Sequence, residues 1–171
     1  MAPRVDPTVF VAPGASIVGN VTIGKKSSVF FGCTLRGDLA PVIIGEGCNI
    51  QDGAVLHVDH EKPAILENLV SVGHSAVVHA CHIKKGALVG IGSVVLNGAV
   101  VGEEAWVGAG ALVPPGMSIP PRSLAVGVPA KVVRTLTPEE IESNYERART
   151  YMGLAESYKE YGQDFPAAQR H

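Results

Sequence analysis

The chain has 171 residues, with 14 Lys and Arg against 16 Asp and Glu, for a net charge of −2 at pH 7. That balance carries no electrostatic footprint for nucleic acid, and a mean hydropathy of +0.23 excludes a disordered chain. Aromatics make up 5% against 46% hydrophobic residues overall, so the core must be built from Val, Ile, Leu and Ala.

No apolar run approaches the roughly 18 residues of a membrane span, and the opening MAPRVDPTVF lacks a signal-peptide core. No membrane partner and no nucleic-acid partner are expected. Cys33, Cys48 and Cys81 are odd in number and lack metal-ligand spacing, which fits reduced thiols in a cytoplasm. Cys81 stands two residues after His79 and reads as a buried structural thiol.

From the N-terminus, aliphatic residues recur every six positions at Val5, Val11, Ile17, Ile23, Val29 and Leu35. After an insertion of three the series resumes at Ile44, Ile50 and Leu56, and again at Val72 and Val78. It slips by one at Ile83, then runs through Val89, Val95, Val101, Val107, Val113 and Ile119. Small residues such as Ala54, Ala76, Ala87, Ser93 and Ala99 stand four positions after the aliphatic. A period of six suits neither a helix nor long strands of alternating residues. Short strands with both residue types turned inward, joined at glycine-assisted corners, do fit it. Each coil buries its faces only by stacking on the next, so a solenoid is expected.

Composition changes near residue 136, dividing the chain into 1–136 and a helix with tail at 137–171. Thr137, Pro138 and Glu140 spell a helix start with a capping box. Ile141, Tyr145, Ala148, Met152 and Ala155 then share one face of a helix reaching about Tyr161, a stripe read as packing against the solenoid or a neighbouring subunit.

Two breaks in the repeat carry the chemistry. The first follows Leu35 with Arg36-Gly37-Asp38; the second lies between Leu56 and Val72. Five of the six histidines, His57, His60, His74, His79 and His82, fall around the second break. With both insertions looped out, Arg36, His57 and His79 are one coil apart each and stack about 4.8 Å apart. Two such imidazoles can reach one zinc ion at about 2.0–2.1 Å each. His60 and His82 read as bystanders. His74 precedes His79 by five residues, about 16 Å of extended chain, and so sits on another side of the coil. A cyclic homotrimer resolves this, each interfacial metal site taking His57 and His79 from one chain and His74 from the next.

Arg36-Gly37-Asp38, Asn49-Ile50-Gln51-Asp52, His57 and Gly73-His74 with His79 together resemble the γ-class carbonic anhydrases. Gly127-Val128-Pro129-Ala130-Lys131 also matches but is shared with hexapeptide acyltransferases. The resemblance implies an all-β fold, a left-handed parallel β-helix of hexapeptide repeats with a C-terminal α-helix. It implies His57, His74 and His79 as ligands of Zn2+, with Fe2+ or Co2+ as alternatives. An open fourth position would hold water whose pKa zinc lowers to about 7, for attack on CO2 to give bicarbonate. By the same resemblance Gln51 orients that water and Asn49 positions substrate. Arg36 and Asp38 bridge subunits at the site mouth with Asp52 holding Arg36, or form a purely structural interface network.

Leu39 follows Arg-Gly-Asp where family members can carry Glu, which leaves Glu61, His60 or Asp59 as the residues available for proton transfer. Tyr151 and Tyr158 are both candidates for a C-terminal tyrosine at the site. Rival functions are a zinc-assisted thioesterase or other hydrolase, an acyl-CoA-dependent transferase, and a metal-binding homologue with weak catalysis.

Overall fold

In a computed structural model that describes residues 1–162, the six-residue period becomes a column of short strands. The first are β1 (Arg4–Val5), β2 (Phe10–Val11), β3 (Ser16–Ile23), β4 (Ser28–Val29), β5 (Thr34–Ile44) and β6 (Asn49–Ile50). Next come β7 (Val55–His57), β8 (Ala64–Leu66), β9 (Ser71–Val72), β10 (Val77–His79) and β11 (His82–Ile83). The regular run follows with β12 (Leu88–Val89), β13 (Val94–Val95), β14 (Val100–Val101), β15 (Trp106–Val107), β16 (Leu112–Val113) and β17 (Ser118–Ile119). β18 (Ser123–Val126) and β19 (Lys131–Thr135) close the end as an antiparallel pair, and α1 (Pro138–Tyr161) follows.

Strands pair in parallel with those one coil away, giving the expected left-handed parallel β-helix. The first half of β5, then β7, β10, β13 and β16, form one side. The second half of β5 with β8, β11, β14 and β17 forms the next. The third side is β2, β4, β6, β9, β12, β15 and β18. Leu35, Ile50, Leu56, Val72, Val78, Ile83, Val89 and Val95 are fully buried, as are Ala54, Ala76, Ala87, Ser93 and Ala99. Each large aliphatic contributes about 1.5–3 kcal/mol relative to exposure. Coils approach so closely at Gly90 that a Cβ there would stand 2.5 Å from the Val107 carbonyl oxygen.

Both breaks bulge at the corner between the first and second sides. β3 and β5 run through that corner, and their pairing shifts where β5 carries its extra residues, exposing Asp38 and Leu39. The second insertion folds back on itself: Asp59 N–H donates to Lys62 O at 3.2 Å and Lys62 N–H to Asp59 O at 3.0 Å. The slip at Ile83 is a shortened corner with only Ala80 and Cys81 between β10 and β11.

Thr137 caps α1 and forms the expected capping box with Glu140, whose carboxylate also takes two 2.7 Å bonds from Arg134. The helix lies across the third side, over β2, β4, β6 and β9. Its buried residues are Asn144, Ala148 and Ala155, whereas Ile141, Tyr145 and Met152 are half-buried. The expected stripe thus faces the solenoid, and Asn144 joins it, its Nδ2 donating to Gly86 O at 2.9 Å inside the contact. The expected tail beyond the helix, 163–171, lies outside the described residues. No described helix is long and apolar enough to cross a membrane.

The three thiols are free and buried. Burial pushes Cys33 up to about 11 and Cys48 and Cys81 up to about 12, so none is a ready thiolate ligand.

Candidate metal centre

Strand register brings Arg36, His57 and His79 into one column on the first side. Arg36 pairs with His57 across β5 and β7, and His57 pairs with His79 across β7 and β10. His57 Nδ1 and His79 Nε2 face each other at 3.0 Å. The opposite nitrogen of each ring is taken: His57 Nε2 lies 2.9 Å from Asp38 Oδ1, and His79 Nδ1 lies 2.6 Å from Asn97 Oδ1. Asp38 is held below the usual carboxylate range by the His57 ring N–H and by Arg36, which also bonds its other oxygen. Being ionised, it only accepts, so His57 carries its proton on Nε2. An amide oxygen likewise only accepts, so His79 carries its proton on Nδ1.

These assignments turn two lone pairs toward each other. Such an arrangement calls for a cation between the rings, either a shared proton or a metal ion. Two metal–nitrogen bonds of about 2.0–2.1 Å span this gap. Outer partners that fix tautomer and ring orientation are what ligating histidines use. The residues present therefore fit a metal ion at this pair.

His74 lies at a different corner, between the third and first sides. Its Nδ1 donates to Asp52 Oδ2 at 2.9 Å, which leaves the Nε2 lone pair on a side chain 43% exposed. Among the described residues, no three of His, Cys, Asp and Glu gather within one chain to hold a metal ion. Within one chain Asp52 faces His74, since it follows β6 on the third side while Arg36 sits at the far end of the first. Within the chain Arg36 is paired with Asp38.

Gln51 stands at the His74 corner, since a spacing of six from His57 moves one side around the coil. It is 4% exposed, and its Nε2 donates to Asn49 Oδ1 at 2.9 Å. Asn49 Nδ2 in turn donates to Ser71 Oγ at 2.9 Å, so buried Asn49 ties Gln51 to Ser71 within the chain. Gln51 and His74 share a cavity of about 380 Å³ with Leu88, Trp106, Arg147 and Tyr151. Tyr151 thus reaches the His74 corner. Tyr158 instead stacks on Phe10 at 5.5 Å in an aromatic cluster under the helix.

His60 is exposed, and His82 pairs with Glu67 at 2.8 Å. Asp59 is bonded to Asn97 at 2.7 Å. Sequence reasoning missed Asn97. Its only signal was an asparagine eighteen residues after His79, one regular coil on.

Fold and site define a hexapeptide-repeat β-helix protein with paired imidazoles on one edge. No protein-family model matches the chain. A carbonic anhydrase of Geobacillus kaustophilus is 45% identical over 92% of this chain and 86% of its own. A Methanocaldococcus jannaschii protein named as a probable carbonic anhydrase is 53% identical over 90% of this chain and 96% of its own. Gamma carbonic anhydrase 2 of Arabidopsis thaliana mitochondria is 44% identical over 91% of this chain and 58% of its own. A hexapeptide transferase family protein from Anaplasma phagocytophilum superposes with a TM-score of 0.88 at 40% identity, covering 91% of this chain and 92% of that one. The chain belongs to the γ-class carbonic anhydrase family, and that family implies a metal cofactor.

Proposed function

We propose that the protein is a zinc-dependent lyase that hydrates CO2 to bicarbonate, working as a cyclic homotrimer with a metal centre at each interface. The observation that carries this is the facing pair His57 Nδ1 and His79 Nε2, each with its other nitrogen occupied. His74 of the neighbouring protomer completes the set through Nε2, its Nδ1 being held by Asp52. The ion, when bound by three neutral imidazoles, supplies the Lewis acidity that makes water a nucleophile near neutral pH.

The chain's own residues do the rest. Asp38 and Asn97 keep the His57 and His79 rings turned inward. Asn49 and Ser71 fix the Gln51 amide, whose oxygen and second N–H remain to orient water. Arg36 holds Asp38 in place and belongs to the interface. Three buried free cysteines suit a reducing compartment such as the cytoplasm.

The likeness to a hexapeptide transferase family protein supports one rival, an acyl transferase using a single general-base histidine without metal. Chelation separates the two. Hydration lost with a chelator and restored by zinc is expected; acyl transfer that survives chelation, without hydration, overturns the proposal. Metal-dependent thioester cleavage without hydration would keep the site and replace the substrate.

A further inference from the structure

Six residues join β7 to β8, where four join β13 to β14. The longer connection folds back through the Asp59–Lys62 backbone pair and carries the Asp59 carboxylate to the corner two coils on. There Oδ2 accepts from Asn97 Nδ2 at 2.7 Å, while Oδ1 accepts the His60 N–H at 2.8 Å. Each oxygen accepts a hydrogen bond, and through Oδ2 the carboxylate braces the Asn97 amide. A carboxylate accepts only, which fixes which way the Asn97 amide lies: Nδ2 toward Asp59, Oδ1 toward His79 Nδ1. The 2.6 Å contact to His79 then demands a proton on Nδ1.

We infer that Asn97, locked by Asp59, is the positioning residue that fixes the His79 tautomer and leaves Nε2 as its metal-binding nitrogen. The inference rests on the metal-centre reading and assigns a purpose to the second insertion. Asn97 touches neither substrate nor ion; it acts through His79, as outer hydrogen-bond partners of ligating histidines do.

Three variants test it. Asn97→Leu removes the acceptor at similar volume, Asp59→Leu frees the amide to rotate, and Asp59→Asn keeps an acceptor oxygen and acts as the conservative rescue. Long-range 1H–15N NMR of the metal-free protein reads the His79 tautomer, and competition with a chromophoric chelator reads zinc affinity. Nδ1–H is expected in the wild type and Asp59→Asn, with Nε2–H appearing in Asn97→Leu and Asp59→Leu. Zinc affinity should fall about 10–100-fold in the two leucine variants and under about threefold in Asp59→Asn.

Folding is monitored by circular dichroism. The Asn97 backbone oxygen, which accepts from Gly116 N–H at 2.9 Å, is retained in every variant. A wild-type His79 that lacks a proton on Nδ1 overturns the inference, as does an Asn97→Leu protein with tautomer and affinity unchanged. If the wild type binds no zinc, the metal-centre reading fails, and the tautomer alone still decides the role of Asn97.

Discussion

Coexpressing a His74→Ala chain with a His57→Ala chain turns the shared-site geometry into a number. The described residues of one chain place His57 and His79 on one corner and His74 on another, with no trio of ligands within reach of one ion. In a cyclic trimer each centre takes its pair from one protomer and its third ligand from the next. Neither variant alone can then build a whole centre. In a random one-to-one mixture a centre is whole when its pair comes from a His74→Ala chain and its third ligand from a His57→Ala chain. Each condition is met about half the time, so about one quarter of centres are complete. Zinc retained per chain after a chelator wash, and CO2 hydration by stopped flow, should both recover to about a quarter of the wild-type value. Native mass spectrometry confirms that mixed trimers formed. Mixed trimers with no recovery above the separate variants would refute a centre shared between protomers.

Two further outcomes follow from the fold. Leu56 is fully buried at the middle of the column, so Leu56→Ala should destabilise by about 2–5 kcal/mol in urea unfolding at fixed protein concentration; a loss below about 1 kcal/mol would contradict the packing described. Glu140 is held down to about 2, first by Arg134 and then by the Thr137 N–H. A carboxyl depressed in the folded state adds stability that is present above its unfolded pKa of about 4.3 and lost as pH falls toward the folded value. Helix ellipticity should therefore fall on acidification from about pH 4.5 to 2, and Glu140→Gln should remove that component; superimposable titrations would contradict it.

The repeat was legible because each side of the coil needs one inward aliphatic and one small corner residue. Even the slip at Ile83 showed, as a corner shortened by a residue. The column of Arg36, His57 and His79 followed from counting insertions, since extra residues bulge outward and leave the register above them intact. The capping box at Thr137 is a local signal and was read directly. Other features depend on contacts that spacing does not encode. Asn97 meets Asp59 across 38 residues through a folded-back loop. Asn144 lies beside the apolar stripe and is buried through a bond to the Gly86 carbonyl that hydrophobic periodicity does not encode. Tyr151 and Tyr158 share one helix face, and it is where the helix lies along the third side that brings Tyr151 to the His74 corner and Tyr158 onto Phe10.

The most direct measurement is CO2 hydration by stopped flow on protein of known metal content, wild type beside His79→Ala, with zinc and with anaerobic Fe2+. A metal centre built on the His57–His79 pair predicts hydration that scales with bound metal and vanishes in His79→Ala. Hydration at the uncatalysed rate in fully metallated wild type, or undiminished hydration in His79→Ala, would contradict it.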